Sequence, residues 1–149
     1  MRGENVQQKF ISFGAIGTIG SSIAGLFGGW STDLTTLVIF MAIDFITGLI
    51  VAGVFKKSKK SKNGALKSKV GLIGLTKKTM ILLMVLIAAR LDLLMGIDYI
   101  RTGLIIAFIC NETISITENA GLMGVPIPKP ILNAIDILKS KEDEHDTRN

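Results

Sequence analysis

Residues 34–55 read LTTLVIFMAIDFITGLIVAGVF, an apolar run with a single charge, Asp44. As a helix rising 1.5 Å per residue it reaches about 33 Å, and the hydrocarbon core of a bilayer is about 30 Å thick. The stretch therefore predicts a membrane-spanning helix. It ends abruptly at Lys56-Lys57, where the chain returns to polar surroundings. Lipid offers no partner to an open backbone, so a chain built around such a segment is expected to be helical throughout its spans.

The flanking sequence repeats the pattern. Residues 10–30, from Phe10 to Trp30, are apolar apart from Ser and Thr. No small-x-small cleavage site closes this run, so it is read as retained rather than as a leader. Residues 79–98 form the next apolar segment, with Arg90 and Asp92 inside it. Residues 100–118 form the last, apolar from Leu104 to Cys110 and then polar. Beyond the break GLMGVPIPKP, residues Ile131, Leu132, Ile135 and Leu138 fall at helical spacing, which predicts an amphipathic helix over about 129–140. The expected fold is an all-α integral membrane protein with three or four transmembrane helices and a short C-terminal amphipathic helix. Its organisation is a polar N-terminus (1–9), a membrane domain (10–118) and a tail (119–149).

Composition points the same way. The chain has 149 residues, 48% hydrophobic and only 19% charged, with a mean hydropathy of +0.50. Soluble domains average about 25% charged residues. A single Cys and a single His leave no disulfide framework and no paired metal site, and His145 sits in a charged tail. No nucleophile–base set and no phosphate-binding loop is present, so neither an enzyme nor a cofactor is expected. The charge is concentrated in one place. Lys56, Lys57, Lys59, Lys60, Lys62, Lys67, Lys69, Lys77 and Lys78 lie within 56–78, which holds no acid. The run has no aromatic residue on which a base could stack, which argues against nucleic acid. Placed between two spans, it reads as a cytoplasmic loop that attracts anionic lipids. The C-terminus is then cytoplasmic as well.

The few polar residues inside the apolar segments are the candidates for function. A lone Asp near the centre of a span costs about 2.5–3.5 kcal/mol on insertion scales, so Asp44 needs a partner or water. Counted from the loop edge, Asp44 stands eleven residues before Phe55 and Arg90 eleven after Thr79. Equal depth makes an Asp44–Arg90 ion pair the expectation. The alternatives are Asp44 facing a pore, or Arg90 paired with Asp92 or Glu112. On the last segment Asn111, Glu112, Ser115, Glu118 and Asn119 form a broad polar stripe, either lining a water path or joining helices. Gly17, Ser21, Gly25 and Gly29 recur every four residues in the first segment, a spacing that lets helices approach closely in lipid.

Several blocks in order resemble the phage lysis and toxin-secretion holin family. Asp44-Phe45-Ile46-Thr47-Gly48 is similar to its D-aromatic-x-T-G block. Ser68, Gly71, Gly74 and Lys78 resemble its S-x-x-G-x-x-G-x-x-x-K pattern. Leu91-Asp92 resembles the L-D of the following helix. Glu112, Ser115, Ile116 and Glu118-Asn119-Ala120 resemble its E-x-x-S-I-x-E-N-A signature, and Gly124-Val125-Pro126-Ile127-Pro128 its G-V-P-I-P block. Arg90 has no counterpart in that pattern. The resemblance implies a small multi-pass protein of the bacterial cytoplasmic membrane, encoded by a bacteriophage or prophage. Such a protein oligomerises, permeabilises the membrane by pore formation, and releases an endolysin, or in some clostridia a toxin, so that the host cell lyses. An antiholin is a possible partner in such systems. The competing readings are a small transporter or ion-channel subunit using Asp44 and Glu112, and a non-permeating anchor or antiholin.

Overall fold

A computed structural model describes residues 17, 18, 20–58 and 68–146, with side chains in the last helix as far as Ile137. Among the described residues every regular element is helical. A short helix α1 covers 20–26. Helix α2 (Thr32–Ile50) continues through a π-helical turn, Val51–Phe55. Helices α3 (Ser68–Met95), α4 (Tyr99–Leu122) and α5 (Lys129–Asp146) follow. Three of these, Thr32–Phe55, Ser68–Met95 and Tyr99–Leu122, are long and apolar enough to cross a membrane. The protein is thus helical with three long apolar segments. Most of the segment expected over 10–30 that precedes α1 lies outside the described residues. Its visible part turns at Phe27–Gly29.

The expected boundaries need one substantial correction. The third apolar segment begins at Ser68, not at residue 79, so residues 68–78 are helix rather than loop. At 28 residues α3 is about 42 Å long, more than a bilayer core requires. Smaller differences follow the same direction: α4 runs on to Leu122 and α5 to Asp146.

Helices α2 and α4 run parallel, and α3 runs antiparallel to both, joined to α4 by the short turn 96–98. Helix α2 packs mainly on α4; α3 leans on α4 and meets α2 only slightly. Leu34, Leu37 and Met41 of α2 recur at helical spacing and meet Val85 of α3 and Ile105 of α4, all buried. Phe27, Ile81, Leu82, Leu104, Phe108 and Ile109 surround them. This apolar core fills the half of the bundle near the α3–α4 turn. Outward faces remain apolar too: Leu72, Leu83, Ile87 and Leu94 are exposed. Exposed apolar side chains of this kind match lipid rather than water.

Two side chains fix the tight connections. Asp92, near the end of α3, accepts hydrogen bonds from the backbone N–H groups of Ile100 (Oδ1, 3.0 Å) and Arg101 (Oδ2, 2.9 Å). Arg101 in turn donates from Nη1 to the carbonyl of Phe27 at 2.7 Å, tying the start of α4 to the turn after α1. Gly28 occupies that turn at φ +75°, and a Cβ there would stand 3.1 Å from Arg101 Nη1. Gly28→Ala is expected to cost about 1–2 kcal/mol, the penalty of a left-handed backbone for a residue with a Cβ. Unfolding in detergent micelles measures it, and an unchanged midpoint would show that the turn is not held this way.

Candidate functional site

The other half of the bundle is polar inside. From α3, Lys78 Nζ lies 2.9 Å from Asp44 Oδ2 and 2.5 Å from Glu112 Oε2. From α4, Asn119 Nδ2 donates to Asp44 Oδ1 at 3.1 Å and to Thr47 Oγ1 at 3.0 Å. Thr47 Oγ1 donates back to the Asp44 carbonyl at 3.0 Å. The result is one network joining three helices. Its acids are deeply buried, Asp44 at 8% exposure and Glu112 at 3%. Gly48 faces α4 here, and a Cβ on it would stand 3.8 Å from Asn119 Nδ2, an ordinary contact.

The chemistry requires this arrangement. A charge facing hydrocarbon is costly, and the cost is met only by an opposite charge with good geometry and further hydrogen bonds. Lys78 supplies one positive charge between two carboxylates. Its long methylene stem crosses apolar surroundings while the ammonium reaches the acids. Two acids and one base give the trio a formal charge of −1.

The Asp44–Arg90 pair is not what forms. Arg90 is exposed on α3, and Lys78 occupies the position against Asp44. The depth argument fails only through the misplaced start of α3. Counted from Ser68, Lys78 is ten residues in, matching Asp44 eleven residues before Phe55. Arg90→Gln is therefore expected to shift bundle stability by no more than about 0.5 kcal/mol, as for other exposed positions. A loss of several kcal/mol in micelle unfolding would restore the original pairing.

The remaining candidates divide by location. Asp92 is buried, but it serves the α3–α4 turn. Asn111, Ser115 and Glu118 line a cleft of about 440 Å³ between α2, α3 and α4, with Asp44, Glu112, Asn119, Lys77 and Lys78. Gly71 and Gly74 of α3 border the same cleft. Lys56 and Lys57 are exposed where α2 ends, and Lys69 and Lys77 are exposed on α3. Lys78, counted with the basic loop by sequence, belongs instead to the buried network. Lys59, Lys60, Lys62 and Lys67 lie outside the described residues. Gly17 and Gly25 have open space where a Cβ would point, and Ser21 Oγ donates to the Gly17 carbonyl at 2.8 Å. Gly29 does not continue that helical stripe, because it sits in the turn at φ +101°. Thr47 was not singled out as a site residue, although its position one turn after Asp44 on α2 carries the signal.

Residues 21–140 match the bacteriophage holin family. The chain belongs to that family. A probable holin of Bacillus phage phi105 is 31% identical over 112 residues, covering 74% of this chain and 77% of the phage protein. An uncharacterized protein of Halalkalibacterium halodurans is 39% identical over 132 residues, covering 85% of this chain and 92% of its own. An uncharacterized 14.9 kDa protein of Clostridium perfringens is 38% identical over 136 residues, covering 90% and 96%. No solved structure matches this holin-family chain. Three of the five sequence blocks that resemble the family meet in this network, while Asp92 of the third serves the α3–α4 turn. Asp44, Thr47 and Gly48 come from the first, Lys78 from the second, Glu112 and Asn119 from the fourth.

Proposed function

We propose that this protein is a holin of the bacterial cytoplasmic membrane, with the Lys-rich segment and C-terminus on the cytoplasmic side. The observation that carries the reading is the buried Lys78–Asp44–Glu112–Asn119 network in a chain of the holin family. In a single protomer the network keeps its costly groups turned inward. Copies accumulate and associate through the exposed apolar faces of α3 and the small residues of α1, where packing competes with lipid. Above a critical density the polar face of α4, with Asn111, Ser115 and Glu118, lines an aqueous lumen. A phage endolysin then crosses, and the protein itself needs no catalytic group. Anionic lipids hold the Lys-bearing end at the surface.

Expression in bacteria tests this directly. Induction is expected to stop growth abruptly, collapse the membrane potential, and let a co-expressed endolysin lyse the cells. An intact potential with the endolysin retained inside would overturn the holin reading. Flux of one solute without endolysin release would identify a transporter or channel, and neither effect an anchor or antiholin.

A further inference from the structure

The cleft between α2, α3 and α4 has a composition that membrane interiors do not tolerate dry. Its lining includes three carboxylates (Asp44, Glu112, Glu118), two ammonium groups (Lys77, Lys78) and the amides of Asn111 and Asn119. Formally the acids exceed the bases by one. The backbone adds to this bias: the cleft lies toward the C-terminal ends of α2 and α4 and the N-terminal end of α3, so two negative helix ends oppose one positive end. The cleft is also roomy. At about 30 Å³ per molecule of liquid water, its 440 Å³ corresponds to roughly fifteen waters. Its lining reaches Ser58, Val70 and Leu122, at the ends of the three helices, so it is continuous with the face where Lys56 and Lys57 stand. Inward it stops. Beyond Asp44 the space between helices is filled by Leu34, Leu37, Met41, Val85 and Ile105, which offer water no hydrogen bond.

We propose that each protomer contains a water-filled vestibule that admits protons and small cations from the Lys-bearing face to the Lys78 network, and that the apolar core closes it. The vestibule belongs to the single protomer and differs from a lumen formed between many copies. It brings the aqueous phase to Asp44, about 16 Å along α2 from Phe55. A large share of any membrane potential then falls across the apolar plug, next to a charged network. This inference does not depend on endolysin release.

Thiol chemistry tests it in the full-length chain reconstituted in lipid vesicles. Cys110 is the single cysteine and is exposed, so Cys110→Ala supplies the background. Gly74→Cys and Ser115→Cys place thiols in the cleft. A Cβ at Gly74 meets only Phe45, at 4.0 Å, so the first substitution fits, and the second is nearly isosteric. Lys57→Cys marks the Lys-bearing face, Val85→Cys the plug, and Leu83→Cys, in the middle of α3, the apolar exterior. A membrane-impermeant methanethiosulfonate with a trimethylammonium group is the probe. The cleft thiols are expected to react at least about tenfold faster than those at 83 and 85, since thiolates form in water and not in apolar surroundings. They are also expected to react faster with this cationic reagent than with its sulfonate counterpart, after each rate is normalised to Lys57→Cys. Cleft thiols no faster than Leu83→Cys would overturn the vestibule, meaning that lipid or another copy fills the space. Equal or faster reaction with the anionic reagent would overturn its cation preference.

Discussion

Lys78→Met is expected to destabilise the bundle by about 3–5 kcal/mol. Removing one partner from a buried charge network leaves the other charges uncompensated, which is the expensive outcome. Here the ammonium serves two carboxylates, on α2 and α4, so both lose this ion pair. Helix α3 loses more than the others, because it touches α2 only slightly and is tied to it through Lys78. Unfolding in detergent micelles, followed by helicity, reads the loss. Lys78→Arg is expected to fall between the two, since the planar guanidinium keeps the charge but not the compact donor geometry. The deciding variant combines Asp44→Asn, Lys78→Met and Glu112→Gln. Neutralising a whole buried network is often tolerated where breaking it is not. The triple variant should therefore recover at least half of the loss. If it is as unstable as Lys78→Met, the single substitution acts through packing, and the electrostatic account of the site fails.

The distribution of legible and illegible features follows from what each signal measures. Helix α2 was readable because length and apolarity alone decide whether a helix crosses lipid. Asp44 was readable for the same reason, as a cost without a visible partner. Its partner was missed because nine lysines close together read as one topology signal, and Lys78 was absorbed into it. A second pattern lay in the same residues. Ser68, Gly71, Gly74 and Lys78 are spaced by three, three and four, the spacing of one helix face. Small residues on that face, ending in Lys, fit a helix that leaves space beside its neighbour and sends one long cation across. Apolarity marks where lipid begins, but it does not mark where a helix begins, and α3 starts eleven residues before its strongly apolar part. The stripe on α4 was found as a stripe. Its division into network members (Glu112, Asn119) and cleft-lining members (Asn111, Ser115, Glu118) depends on which way α2 and α3 face, which no single helix encodes.

The α3–α4 turn yields the second large effect. Asp98 stands immediately before α4, where the rules of helix capping place the cap, yet its side chain makes no cap bond. Asp92 does that work from the preceding helix, with one oxygen on Ile100 N–H and the other on Arg101 N–H. The first N–H groups of a helix have no partner within it, and a carboxylate there also meets the positive end of the helix dipole. Asp92 is buried at 7%, so water does not readily replace it. Asp92→Ala is expected to cost about 2–3 kcal/mol, in the range of hydrogen bonds to a charged group. Asp92→Asn keeps one acceptor oxygen and should lose about half as much. Asp98→Ala should stay within about 0.5 kcal/mol, like other exposed substitutions. Micelle unfolding ranks the three, and amide hydrogen exchange at Ile100 and Arg101 locates the change, rising in Asp92→Ala and not in Asp98→Ala. The reverse ranking would return the cap to Asp98 and leave the burial of Asp92 without a cause. Because Arg101 also holds Phe27, a loosened α4 start should release the turn after α1, and faster exchange at Gly28 and Gly29 in Asp92→Ala is the sign that the two connections act as one.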